Sequence, residues 1–592
     1  MKKILFALVG SILLFSVNAY GNSDEDTYTE KQLKQIEEAK EYLKNADMEY
    51  PTLKYAEFAC IAGDVGMLKK MESHGFKQWN KPILITQSIR FRRIDCFKFI
   101  ISKIVSINAE GDIFLNEAAK RGQLEMCKLL VAKGADAKKA IQAMMVAARK
   151  GYWEICQLLL SNGADVNAKG ADDWTALMFA ASYGHFELCK FFVSNGADIN
   201  AKSAQDYSAL MLAAQKGHLE LCKFLIANGA EINEKNNRNE SALLLAACHG
   251  SFDICKLLIS NGAEINIKDK NNRTVLREAA RYGRIDFCKF LVSNGAEIDK
   301  NTDWALVSAA EEGHFDVCRY LISQGANVNV KDKNGCTILM FAAEKGNLED
   351  CKFFATHGAT IDVKAKDGST ALIKAVMNGQ LEIYKYLVSQ GANANVTYID
   401  SCTTLMLAAF TGRLEMCKFL VSQGMDFDAR NKSGNSALHL AAGNGHTEVC
   451  MYLISQGVKI NVKNKNGYSA LHFAASNGHL EVCRILIANG ADVNAKERDD
   501  ETVLMMAVGN GKIDVCKFLI SHGANVNAIR DDGTTALMFA AARGDIELCK
   551  LLITSGANVN ATRIGGFSAL RYALHFKHVD VANYLKSVGA KW

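Results

Sequence analysis

The sequence predicts an all-α solenoid: about 17 stacked helix-turn-helix units, each closed by a short hairpin or loop, behind an export signal and one N-terminal helix. Three observations predict it. A cysteine recurs every 33 residues, at Cys156, Cys189, Cys222, Cys255 and Cys288, and again from Cys318 onward. The surroundings recur with it, as in Gly184-His185-Phe186-Glu187-Leu188-Cys189-Lys190 and Gly217-His218-Leu219-Glu220-Leu221-Cys222-Lys223. A fixed period of this length means stacked supersecondary units, not one closed core. Finally, 49% apolar residues and only two prolines, Pro51 and Pro82, give an ordinary folded composition without proline-rich linkers.

Taken in order, the elements begin with a separate message. Lys2 and Lys3 precede an apolar run from Ile4 to Val17, followed by Val17-Asn18-Ala19. That order of basic, apolar and small residues reads as a secretory signal peptide over 1–19. The run is shorter than the about 20 residues a membrane span needs. The mature chain is therefore expected to be exported, to the periplasm and envelope or to the medium. Residues 20–50 are polar, with a helix predicted from Thr29 to Asn45 because Leu33, Ile36, Ala39 and Leu43 fall at helical spacing. This helix is expected to lie on the first unit as a lid.

The array occupies 51–592. The ladder position runs through Leu68, Phe97, Cys127, the cysteines named above, Tyr384 and finally Ala582. Steps are 29, 30 and 29 residues at the start and 33 afterwards, except for 30 between Cys288 and Cys318. Shorter steps predict trimmed hairpins in the degenerate units of 51–140 and near Asn301. Regular units fill 141–560, and 561–592 reads as a capping unit.

One unit shows the local logic. Thr175 is a good N-cap for the Ala-rich segment Ala176-Leu177-Met178-Phe179-Ala180-Ala181. Gly184-His185 breaks that helix. A second helix follows over Phe186 to Ser194, with Leu188, Cys189, Phe192 and Val193 on its apolar side. Asn195-Gly196 ends it, since glycine accepts the left-handed conformation.

These units resemble the ankyrin repeat. The exits Gly163-Ala164-Asp165-Val166-Asn167-Ala168 and Gly490-Ala491-Asp492-Val493-Asn494-Ala495 match the family's motif closely. Ser436-Ala437-Leu438-His439 and Ser469-Ala470-Leu471-His472 match its helix start except at proline. Other units carry Met for His, at Met178, Met211, Met340, Met406 and Met538. The resemblance implies a non-enzymatic scaffold that binds a partner protein on a concave face. It also implies that the residue just before each helix-start Thr or Ser lies on that side. This position wanders through Trp174, Tyr207, Glu240, Arg273, Cys336, Cys402, Tyr468 and Phe567. Exposed aromatics and Arg are common interface anchors, so Trp174, Tyr207, Arg273, Tyr468 and Phe567 are the candidate partner-binding residues, with Trp174 and Tyr207 in adjacent units as the first patch.

Charge and motifs narrow the chemistry. Net charge is +5, and removing residues 1–19 deletes two lysines and no acid, leaving +3. That is too weak to argue for nucleic acid or an anionic membrane. Ladder cysteines one helix spacing apart, about 8–10 Å, cannot bridge within the about 7 Å a disulfide allows, nor converge on one metal. They read as small apolar side chains in a helix seam. Cys248 and Cys255 are the one local pair worth testing for a bridge. Histidines 185, 218, 314, 446 and 479 recur because the Gly-His turn recurs. There is no phosphate loop, no His-Glu-x-x-His and no nucleophile elbow. No catalytic residue, metal site, cofactor or small-molecule substrate is expected. Two rival readings remain: a secreted effector or inhibitor acting on proteins of another cell, and a hydrolase or redox protein using Cys60, Cys96, Cys336 or Cys402, which lie off the ladder.

Overall fold

The computed structural model describes residues 29–44, 52–107, 111–298 and 304–591. The signal segment, the residues before Thr29 and the short step near Asn301 lie outside the described residues. Among those described there are 35 α-helices, two short 3-10 turns and no strand. Four hairpins close on a single antiparallel bridge, for example Lys331 with Thr337 and Lys496 with Thr502.

Seventeen helix pairs follow the N-terminal helix, from Leu53–Ala62 with Val65–Ser73 to Ala569–His575 with Val579–Ser587. The repeat starting at Ser208 shows why they form. The Ser208 hydroxyl accepts from the Met211 N–H at 3.3 Å and caps Ala209–Lys216. Gly217 stops that helix at φ +80°. The second helix, Leu219–Ala227, buries Leu221, Cys222 and Leu225. Nine residues are too few for a stable helix in water, so this seam with its neighbours holds it. Every ladder residue sits there: Leu68, Phe97 and the ladder cysteines are fully buried, and Tyr384 and Ala582 nearly so.

The N-terminal helix runs Glu30–Lys44, within a residue of its predicted bounds. Ile36, Ala39 and Leu43 are buried, and Ile36 and Ala39 join Ile61 and Phe91 in one apolar cluster. Tyr42 packs on Phe58 with ring centroids 4.5 Å apart, so the helix does cover the first repeat. Leu33, expected on the same apolar face, stays 50% exposed.

The described residues form two compact bodies, divided between Glu278 and Ala279. Within each, polar side chains tie neighbouring repeats through their backbones. In the N-terminal body, Nδ2 of Asn200 donates to the Gly229 carbonyl at 3.1 Å, and its Oδ1 accepts from the Glu231 N–H at 2.9 Å. In the C-terminal body, Asn494 does the same with Gly523 and Asn525, at 3.0 and 2.7 Å. A second tie comes from the Gly-His turn. His185 Nε2 reaches the Arg149 carbonyl of the preceding repeat at 3.0 Å, and His479 reaches Gly443 at 3.1 Å. Arg93, Gln123 and Arg413 make the same backward bond where histidine is absent. The predicted turn role is thus also an inter-repeat one. At the ends, Arg92 and Lys577 take the positive φ, +53° and +62°, that glycine takes in regular turns.

Candidate functional site

The five candidate residues precede first-helix N-caps, at hairpin bases. Each is half-buried rather than exposed, because the hairpin folds back over it. Trp174 lies on its own first helix, its ring 4.8 Å from Phe179. Tyr207 is fixed by its N–H to the Ser203 hydroxyl at 3.1 Å, and its own hydroxyl points forward to Glu240 Oε2 at 3.4 Å. Burial, then the Glu240 carboxylate, push the Tyr207 phenol up.

Glu240 is held from both sides. Asn236 Nδ2 donates to its Oε2 at 2.8 Å, and Arg273 Nη2 donates to its Oε1 at 2.6 Å. Arg273 Nε donates to Asp269 Oδ2 at 2.7 Å, and Nη1 to Cys248 Sγ at 3.5 Å. Tyr207 and Arg273 are therefore brought together across three repeats, with Glu240 between them. The expected Trp174–Tyr207 patch takes another form, since each ring turns to a different neighbour. Arg273 is committed to two carboxylates and serves the frame.

In the C-terminal body, the Tyr468 carbonyl accepts from His439 Nε2 at 3.2 Å, and its ring meets His472 and Phe473 at 5.7 and 6.1 Å. Phe567 carries the guanidinium groups of Arg563 and Arg571 over its ring, at 5.7 and 5.1 Å, and lies 5.7 Å from Tyr572. Burial lowers the His439 and His472 imidazoles to about 4, so both are neutral near pH 7.

A second variable column was not singled out from the sequence. It stands four residues after each cap: Phe179, Leu212 and Leu245 in the N-terminal body, and Phe341, Lys374, Leu407, Leu440, Phe473, Met506 and Phe539 in the C-terminal one. The 33-residue register contains it, but its apolar character reads as core, and Leu212, Leu245 and Leu407 are indeed buried, which leaves the other members half-buried at the surface.

The off-ladder thiols need correction. Cys60 and Cys96 are buried like the ladder cysteines, and burial pushes their thiols up to about 12 and about 11. Cys60 takes a first-helix alanine position beside Ala59, and Cys96-Phe97 takes the place of a Leu-Cys pair. Cys336 and Cys402 are half-buried, and burial raises both. A raised thiol is a poor nucleophile. Cys248 and Cys255 are both thiols, not bridged. Among the described residues, no cluster of three or more His, Cys, Asp or Glu is placed to hold a metal, and no helix is long and apolar enough to cross a membrane.

The repeated frame decides the family. A family model described as ankyrin repeats (3 copies) matches residues 115–203, 144–236, 210–303, 306–398, 405–497 and 504–592. The chain belongs to the ankyrin-repeat family. The helix pairs between Leu53 and Ser102 precede the matched span and continue the ankyrin pattern in degenerate form. No curated protein matches the chain. Ankyrin repeats are in general protein–protein interaction modules, and proteins built of them are typically non-enzymatic scaffolds.

Proposed function

We propose that this ankyrin protein is a non-enzymatic scaffold that recognises another protein on the concave face of its repeats. One observation carries the reading. The recurring polar residues are consumed in ties between repeats, while the two columns at the hairpin base and on the first helix change from repeat to repeat. A frame that is spent on itself and a face that varies is how a repeat protein separates scaffold from specificity. Tyr207, Tyr468 and Phe567, with Phe473 beside Tyr468, are the side chains offered to the partner.

The export signal read in residues 1–19 supports a working location in the periplasm and envelope or outside the cell. Affinity capture from whole-cell and secreted fractions tests the function, with residues 20–592 as bait beside a Tyr468→Ala/Phe567→Ala bait. A protein held by the first and lost by the second supports it. Equal retention removes these residues from the site, and absence of any retained protein from both fractions counts against an endogenous partner and for a target in another cell. Fractionation of the native protein tests the location: recovery in the cytoplasm with residues 1–19 still attached contradicts export.

A further inference from the structure

Charge is distributed unevenly over the C-terminal body. Between residues 429 and 480 the chain carries five cations, Arg430, Lys432, Lys459, Lys463 and Lys465, and one acid, Glu448. Glu448 belongs to the second helix Thr447–Ser455, where it adds to the field on Lys418 of the preceding repeat. Elsewhere on the second helices lysines are neutralised by an acid three residues earlier, as in Lys385–Glu382 and Lys418–Glu415, both at 2.7 Å. Among the described residues, none of these five cations on the hairpin side of the two repeats is held in an ion pair, and the flanking acid, Asp428, accepts the Lys459 N–H at 3.5 Å. Arg430 Nη1 donates to the Lys463 carbonyl at 3.0 Å, and Lys463 Nζ donates to the Lys496 carbonyl at 2.7 Å. Each long cation is thereby laid along the next hairpin. Lys432 and Lys465 stand exposed at one register, on hairpins joined by the Lys465 N–H to the Ser433 carbonyl at 3.1 Å.

Beside this strip lies an aromatic floor. Tyr468 meets both His472 and Phe473, and His439 meets Phe473 at 5.9 Å. Gly443 lies against the half-buried Phe473, where a Cβ would stand 3.4 Å from Cδ1. Acids bound the strip on both sides. Asp426 and Asp428 precede it, and Asp499, Asp500 and Glu501 follow, paired with Arg530 and Lys496.

We propose that the repeats over 429–480 dock an acidic, extended protein segment, its carboxylates along Lys432, Lys463 and Lys465 and an aromatic or apolar side chain on Tyr468 and Phe473. The proposal rests on the protein-recognition reading above and names the chemistry of the partner. The flanking acids favour a short segment over nucleic acid, whose evenly spaced phosphates would run into them on either side. Rings beside cations suit a chain that mixes carboxylates with apolar side chains.

The test uses the full chain and a displayed library of random peptides of about 12 residues, long enough at about 3.3 Å per residue to cross three repeats. Enrichment of acidic peptides containing an aromatic residue is expected. Lys432→Glu/Lys465→Glu changes two exposed side chains that hold none of the fold, and it should weaken the best synthetic peptide about 10-fold. Lys385→Glu/Lys418→Glu, an equal charge change on the second-helix face, should not. Tyr468→Ala should weaken binding while leaving the preference for acidic peptides. Enrichment of neutral or basic peptides, equal loss in both charge-reversed chains, or tighter binding of single-stranded DNA of equal length overturns the proposal. Enrichment of no peptide overturns it too, while capture of a folded protein by the same chain would keep the broader function.

Discussion

Arg273 reaches one repeat back to Glu240, Nη2 to Oε1 at 2.6 Å, and holds Asp269 of its own hairpin at 2.7 Å. The Glu240 and Asp269 side chains are 5% and 1% exposed. Arg273→Ala would leave two carboxylates buried without their cation, a loss of about 3 kcal/mol from the N-terminal body. Burial alone would raise Asp269, but the Arg273 N–H and guanidinium outweigh it and hold the carboxyl below its usual range. A depressed folded pKa gives stability that is present above the unfolded value near about 4 and lost as pH falls through the folded one. Denaturant midpoints of wild type and variant should therefore differ fully at pH 7 and converge on acidification below about pH 4. A gap unchanged down to pH 3 would remove the ion pair from the account.

Among the described residues, Asp362 and Asp428 stand where other repeats carry the bridging asparagine. Asp428 still accepts from the Lys459 N–H, at 3.5 Å, but has no amide to donate to the Gly457 carbonyl. Asp428→Asn supplies that donor and should stabilise the C-terminal body by about 1 kcal/mol. Asn494→Asp should do the reverse. A melting temperature that falls in the first variant would show that the rung matters less than the charge.

Gly445 and Gly457 separate two costs. Both have positive φ, +76° and +84°. A Cβ on Gly445 would stand 2.6 Å from His479 Nδ1, whereas Gly457 has nothing within 4 Å. Gly457→Ala should therefore cost only the backbone penalty, about 1 kcal/mol. Gly445→Ala should cost that and the displacement of His479 from the Gly443 carbonyl, about 1 kcal/mol more. Equal losses in urea unfolding would mean that the imidazole moves aside freely.

Thiol accessibility checks the packing of the ladder. Burial pushes Cys189 and Cys222 up to about 12. An alkylating reagent at pH 8 should modify Cys248, Cys336 and Cys402 slowly and leave the ladder untouched until denaturant is added. Mass-mapped labelling of Cys222 in the native protein within the same time would contradict the seam.

The architecture was legible because it is written many times over. Thr175 and Ser208 each cap a helix, Gly196 and Gly217 each end one, and agreement among copies removes the ambiguity of any single segment. The N-terminal helix was legible from Leu33, Ile36, Ala39 and Leu43 at helical spacing, of which Leu33 alone stays exposed. The site was less so. Arg273 reads as an exposed anchor until Glu240, 33 residues away, is seen to face it. His479 reads as a turn residue because its acceptor is a backbone carbonyl, which every residue owns and no sequence pattern marks. Cys60 and Cys96 look exceptional when counted from the ladder. Counted from the first-helix alanines and the Leu-Cys pairs, they fall into the core, so the error lay in the chosen origin.

The asparagine rungs of the C-terminal body give it the mechanics of a ratcheted spring. Asn461, Asn494 and Asn527 each clasp only the following repeat. Tension applied between the ends of that body therefore loads the rungs in series, and the weakest gives way first while its neighbours hold. Each rupture would release one repeat of 33 residues. At about 3.4 Å per extended residue, less the about 10 Å the folded repeat already spans, that is a lengthening of about 100 Å per event. A force–extension trace should be a train of equal teeth, with the Asp428 repeat, one donor short, among the first to yield.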